Sequence, residues 1–207
     1  MIRILGRIRS INVRKVLWTA DELGLVYTHE AWGEGGLRLD SESFTKLNPN
    51  RLVPVLVDGD FVLWESHAIC RHLVRQYDAG VLNNDNLRAA AWVDQWLDWQ
   101  QSTLNPAWRD AFLGLVRQHP AHRSPALIHA SVQLWSETMQ ILEQTLSDGR
   151  RFLVGDRFSI ADISVGLSIH RWLQTPIPRE PLPFVLAYYE ALKRRQKARP
   201  YLCVELA

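Results

Sequence analysis

Apolar residues follow two different periods in the first part of the chain and only one in the rest. Ile2 to Leu5 is a short apolar run that predicts a strand. Val13, Val16, Leu17, Ala20 and Leu23 recur at helical spacing and predict a helix from Asn12 to Leu23, with Gly24 placed as its closing residue. Val26 to Glu30 predicts a second strand, and Ser41 to Leu47 a short helix ahead of the turn signal Asn48-Pro49-Asn50. Val53 to Val57 and Phe61 to Leu63 predict a hairpin around Asp58-Gly59-Asp60. Trp64 to Tyr77 closes the segment as a helix carrying Ile69, Leu73 and Tyr77 on one face. The order β-α-β-α-β-β-α implies a mixed sheet covered by helices.

Residues 78–86 are polar and interrupt the pattern, so the chain divides into a segment 1–78 and a segment 86–207. No strand pattern follows the break. Leu87 to about Gln118 has helical spacing, and Pro106 is expected to kink or interrupt it. Ser124-Pro125 opens the next helix, with the stripe Ile128, Val132, Trp135, Met139, Leu142 and Leu146. Ser159-Ile160-Ala161-Asp162 has the form of a capping box, flanked by Phe158 and Ile163 as a hydrophobic staple. Asp162 is therefore read as a structural acid. A last helix is predicted from Pro183 to Gln196.

Composition narrows the function classes. The chain has 207 residues, 47% hydrophobic and 22% charged, which fits a globular protein rather than a disordered one. Its net charge is only +2, and the one basic cluster, Lys193 to Arg199, falls at the end of a predicted helix, where it complements the dipole. A nucleic-acid partner is not expected. No run approaches the ~18 apolar residues of a membrane span, and the N-terminal residues lack the form of a secretory signal. Cys70 and Cys203 form no CxxC pair, so neither a metal nor a disulfide is expected, and a reducing cytoplasm suits the chain. No GxGxxG or phosphate-binding loop is present.

Four segments carry a family resemblance. Residues 10–18 (Ser-Ile-Asn-Val-Arg-Lys-Val-Leu-Trp), 48–56 (Asn-Pro-Asn-Arg-Leu-Val-Pro-Val-Leu) and 64–69 (Trp-Glu-Ser-His-Ala-Ile) resemble glutathione transferases. So does the pair Phe152 to Asp156 and Ser159 to Ile163. They occur in the family's order across nearly the whole chain, and the likeness is greatest to its theta-like bacterial group. The resemblance implies an α/β thioredoxin-like N-terminal domain, an all-α C-terminal domain, a homodimer, glutathione as cosubstrate and a catalytic cleft between the domains. The implied activity is conjugation of glutathione to small hydrophobic or halogenated electrophiles. Glutathione-dependent dehalogenation or peroxide reduction stands as an alternative, as does a binding module without catalysis.

The residue types suit that chemistry. A free thiol has a pKa of about 8.5, so little of it is the reactive thiolate at neutral pH. Hydroxyl or amide donors at a helix start can stabilise the thiolate. Ser10 and Asn12 have the required location; by resemblance either one or both act, and a plain N-cap is the alternative for one of them. Val53-Pro54, reached through Arg51 and Leu52, is implied to have a cis bond and to offer the Val53 backbone to the cysteinyl part of glutathione. Glu65 and Ser66 are implied to hold the γ-glutamyl ammonium and carboxylate at the start of a helix. Arg51 stands where the family often has glycine; it pairs with the glycyl carboxylate or points to solvent. Trp108, Arg109 and Phe112 are the candidates for contacting the second substrate, with core packing the alternative for Trp108. Cys70 reads as core, and His67 and His72 as helix-surface residues.

Overall fold

The structure is a computed structural model that describes residues 1–82 and 86–204. Part of the polar break at 78–86 therefore lies outside the described residues. The chain forms two compact units, Met1–Asn84 and Asp85–Ala207.

The first unit holds a four-stranded sheet in the order β2-β1-β3-β4. Its strands are β1 (Ile2–Leu5), β2 (Tyr27–Glu30), β3 (Val55–Asp58) and β4 (Phe61–Trp64). β1 runs parallel to β2 and antiparallel to β3, which pairs antiparallel with β4. The helices are α1 (Ile11–Glu22), α2 (Glu42–Thr45) and α3 (Ser66–Tyr77), and α1 packs on α3. The predicted order is therefore present. Trp64 ends β4 rather than opening α3, because its pairing with Val55 extends the hairpin by one residue. α1 is buried nearly all round, Arg14 and Lys15 included, where the periodicity alone marks one apolar face.

The second unit is helical: α4 (Leu87–Trp99), α5 (Asn105–Leu115), α6 (Pro125–Leu146), α7 (Ile160–Gln174), α8 (Pro183–Lys193) and α9 (Arg199–Leu202). Pro106 does not end the long helix. A π-helical turn, Gln100–Leu104, joins α4 to α5. Proline lacks an N–H and crowds the carbonyl one turn earlier, and a widened turn accommodates both without breaking the helix. α5 and α6 are stapled by Ser131, whose Oγ accepts the Ala111 N–H at 3.0 Å and donates to the Ala107 carbonyl at 2.6 Å. Gly114 lets the chain fold back here, since a Cβ on it would lie 2.2 Å from the His122 carbonyl oxygen.

The capping box forms as expected, and Asp162 does more than cap. Its carboxylate accepts from the Ser159 N–H (2.8 Å), the Ser159 hydroxyl (3.1 Å), the Leu153 N–H (2.9 Å) and the Tyr188 hydroxyl (2.6 Å). It therefore joins α7, the preceding loop and α8 at one fully buried point.

Candidate active site

Sheet register brings the predicted segments of the first unit to one end. Glu30, Leu5, Val55 and Trp64 lie in a row across the four strands. The chain leaves β1 after Leu5 toward Ser10 and Asn12. It enters β3 from Val53-Pro54 and leaves β4 straight into Glu65-Ser66. It leaves β2 after Glu30 into the loop that contains Gly33 and Arg38. Segments far apart in sequence thus meet because the strand ends are neighbours.

Ser10 occupies the N-cap position of α1, yet its side chain makes no capping bond. Its carbonyl accepts the Arg14 N–H at 3.0 Å, so the backbone starts the helix and the hydroxyl stays available. Asn12 is half-buried. Its Oδ1 is enclosed without a hydrogen-bond partner. An enclosed acceptor of this kind costs about 1–3 kcal/mol. Neither side chain is spent on capping. The turn before them depends on Gly6, at φ 143°, where an added Cβ would lie 2.5 Å from Val13 Cγ2 and 2.8 Å from Val53 Cβ. Gly6 therefore sets how closely the Ser10 turn approaches Val53, a role the periodicity did not reveal.

The Val53–Pro54 bond is cis. The Val53 N–H and C=O make no hydrogen bond to another backbone group among the described residues. Buried Asn48 braces the loop, donating from Nδ2 to the Leu52 carbonyl at 2.8 Å and accepting the Asn50 N–H at 3.0 Å. Beneath it, Val53 packs with Trp32, Leu39 and Leu47 on a core of Leu5, Phe44, Val55 and Val57. Leu52 is 62% exposed. Arg51 has φ 56°, in the left-handed region that favours glycine. A non-glycine residue there costs about 1 kcal/mol. Arg51 also lines a cleft of about 430 Å³ with Arg7, Arg38 and Asp40. Arg38 and Asp40 pair at 2.6 Å, and Arg7 donates to the Gly33 carbonyl at 3.2 Å. Arg7 and Arg38 carry no sequence pattern that singles them out.

Glu65 also has a left-handed backbone, φ 72°, at the N-cap of α3, and its side chain makes no capping bond. Ser66 is buried at the first helical position. His67, expected on a helix surface, is buried instead. Its Nε2 lies 3.0 Å from Lys15 Nζ. Burial, with the charges of Lys15 and Arg71, holds its pKa down at about 2. The unfolded chain takes up that proton near the ordinary value of 6.5, so between these values acid favours unfolding. About 2 kcal/mol of stability is therefore expected to be lost from this one residue between pH 8 and pH 5. Urea unfolding of His67→Gln should show a correspondingly flatter pH dependence; an unchanged slope would remove the assignment. Cys70 is core, as expected: it accepts from the Thr19 hydroxyl at 3.3 Å, and burial pushes its thiol up to about 11. Such a thiol is not a nucleophile at neutral pH.

In the second unit, Trp108 and Phe112 come together and Arg109 does not join them. The two rings meet edge-on at 5.5 Å, and the buried Arg171 guanidinium lies over both, 4.1 and 4.2 Å from their centroids. Trp108 Nε1 donates to Asn105 Oδ1 at 3.0 Å, which also accepts from Gln100 at 2.8 Å. Phe112 is buried, Trp108 half-buried and Arg109 exposed. Arg171 had no sequence signal, because the stacking joins helices distant in the chain. Among the described residues no cluster of metal-ligating side chains occurs, and no helix is long and apolar enough to cross a membrane.

The family models described as "Glutathione S-transferase, N-terminal domain" and "Glutathione S-transferase, C-terminal domain" match residues 9–76 and 106–191. The chain is similar to glutathione S-transferase GstB of Escherichia coli strain K12, at 35% identity over 100% of both chains. It is 34% identical to human glutathione S-transferase theta-1 over 59% of this chain and 53% of that protein. A solved theta class glutathione S-transferase from Xanthomonas axonopodis pv. citri, with glutathione bound, is similar at TM-score 0.91 and 39% identity. That match covers 100% of this chain and 99% of the other. With both family models matched and full-length likeness in sequence and fold, the chain belongs to the glutathione S-transferase family.

Proposed function

We propose that this glutathione S-transferase binds glutathione at the sheet end marked by Leu5, Val55 and Trp64, and conjugates its thiolate to small hydrophobic or halogenated electrophiles. The row of strand ends carries the reading, because it assembles three complementary groups from separate segments. Ser10 and Asn12 donate to the sulfur. The free backbone of Val53, following Arg51 and Leu52 and preceding Pro54, pairs with the cysteinyl unit like an added strand. Glu65 accepts from the γ-glutamyl ammonium, while Ser66 and the first amides of α3 hold the carboxylate. Arg51, whose backbone geometry favours glycine, faces a cleft suited to the glycyl carboxylate.

The thiol loses its proton to solvent, and the thiolate attacks the carbon that bears the leaving group. A carbon–sulfur bond forms, the carbon–halogen bond breaks, and halide departs with the electron pair. Trp108 is the foremost candidate for the electrophile's aromatic contact, since its indole is held in place and remains partly open. Phe112 supports it from the core, and exposed Arg109 is available to an anionic substituent. The protein acts as a cytoplasmic homodimer in detoxification on this reading.

The test is direct. The protein is expected to bind immobilised glutathione, to elute with millimolar free glutathione, and to conjugate a chromogenic haloarene in a reaction that saturates in both substrates. Absence of binding at millimolar glutathione would overturn the cosubstrate assignment.

A further inference from the structure

We propose that Lys15 and His67 are a positioning pair that sets the first turn of α3, with Glu65 and Ser66, against the helix that carries Ser10 and Asn12. The inference rests on the glutathione site proposed above and adds two residues to it that do not touch the substrate.

The geometry supplies the argument. α1 and α3 pack together, and both carry fully buried apolar residues, among them Val16 and Ala20 on α1 and Ile69 and Leu73 on α3. Polar links cross between them as well, among them Lys15 to His67 at 3.0 Å and Thr19 to Cys70 at 3.3 Å. An apolar pair would fill the same volume without the cost of burying an ammonium group. What a hydrogen-bonded pair adds is direction, since it fixes two helices in rotation and register as well as distance. Lys15 lies three residues beyond Asn12, on the same side of α1. His67 follows Ser66 directly. The bond therefore ties the sulfur-donor helix to the γ-glutamyl turn at their shared contact. Glu65 needs such a constraint, because its left-handed backbone persists only where surroundings impose it.

The chemistry of the pair is specific. An ammonium can only donate, so Nε2 of His67 accepts and the imidazole proton resides on Nδ1. Arg71 on α3 is the other cation acting on this imidazole, and buried Cys70 is uncharged at neutral pH. The pair as a whole carries one positive charge beside a helix N-terminus, where the two act together on a carboxylate. Disturbing it should therefore weaken glutathione binding more than the chemical step.

Steady-state kinetics of the full-length protein separates these effects. His67→Leu is expected to raise KM for glutathione about tenfold, with kcat and KM for the haloarene within about twofold of the parent. Lys15→Met should do the same. His67→Gln, whose Oε1 can accept from the ammonium at the position of Nε2, should recover to within about threefold of the parent. Unchanged KM for glutathione in both His67→Leu and Lys15→Met would overturn the proposal. So would equal impairment of His67→Gln and His67→Leu, which would reduce the residue to a space-filler. Should His67→Leu not fold by circular dichroism, Lys15→Met decides the matter: a raised glutathione KM supports the pair and an unchanged one overturns it. A parent protein that fails to conjugate would instead overturn the functional reading, so the two failures are distinguishable.

Discussion

Alanine at both Ser10 and Asn12 is expected to lower kcat/KM for conjugation by about 10- to 100-fold and to move the rate-controlling pKa up toward the ~8.5 of a free thiol. Ionisation supplies only part of this effect. A thiol made more acidic is more often ionised but intrinsically less nucleophilic, and the two changes partly cancel near neutral pH. Loss of sulfur positioning accounts for the remainder. The single variants then rank the two donors. Ser10 has the N-cap location with an uncommitted hydroxyl, and Asn12 has an amide whose Nδ2 can donate. The variant that shifts the pH profile of kcat/KM further identifies the principal donor. If both retain the parent profile and rate, the thiolate is stabilised elsewhere.

Asp162→Ala is expected to destabilise the protein by about 3–5 kcal/mol, the largest stability effect of any single substitution considered. The carboxylate serves four donors, and three come from Ser159 and Tyr188 side chains or the Ser159 amide. The fourth is the Leu153 amide. Removing their common acceptor leaves buried donors unpaired, which costs more than the net worth of the bonds themselves. Asn at this position keeps one acceptor oxygen but brings its own donors into a ring of donors, so an intermediate loss is expected. Urea unfolding measures both. A loss below about 1 kcal/mol for the alanine variant would mean that water replaces the carboxylate, contrary to its complete burial.

These two sites differ in how much of them the chain pattern discloses. The Asp162 cap is local: Ser159 and Asp162 are three residues apart, and the spacing itself specifies the bonds to one another. Its bond to Tyr188 is not local, and nothing in the pattern pairs those residues. The segments proposed to bind glutathione show the same division. Turn residues and periodicity predict a helix from Asn12, a strand from Val53 and a helix from Trp64, where α1 starts at Ile11, β3 at Val55 and α3 at Ser66. The hairpin is legible one residue short, since Trp64 has an aromatic side chain that suits either strand or helix. The long helix through Pro106 is legible as a helix with an interruption, but the π-helical turn that accommodates the proline without ending the helix is not.

Burial of polar residues is what side-chain type discloses least. His67 and Lys15 look like surface residues by type, and both are enclosed. Side-chain polarity predicts exposure only when a partner is absent, and partners 52 positions apart have no signature in a single chain. Arg51 illustrates the converse. Its oddness among the family's glycines was visible in the chain, and the backbone angle then supplied the reason.

The sequence by itself determined the order of elements and the capping box, because each depends on residues within a turn or two of one another, and it carried the motifs whose resemblance points to the segments proposed to bind glutathione. The tertiary structure decided which of those segments share an end of the sheet, that Gly6 must be bare to let Val53 approach, that Arg171 stacks on Trp108 and Phe112, and that Lys15 meets His67. All of these depend on strand register and helix packing, which bring distant residues within a few ångströms and which no local pattern encodes.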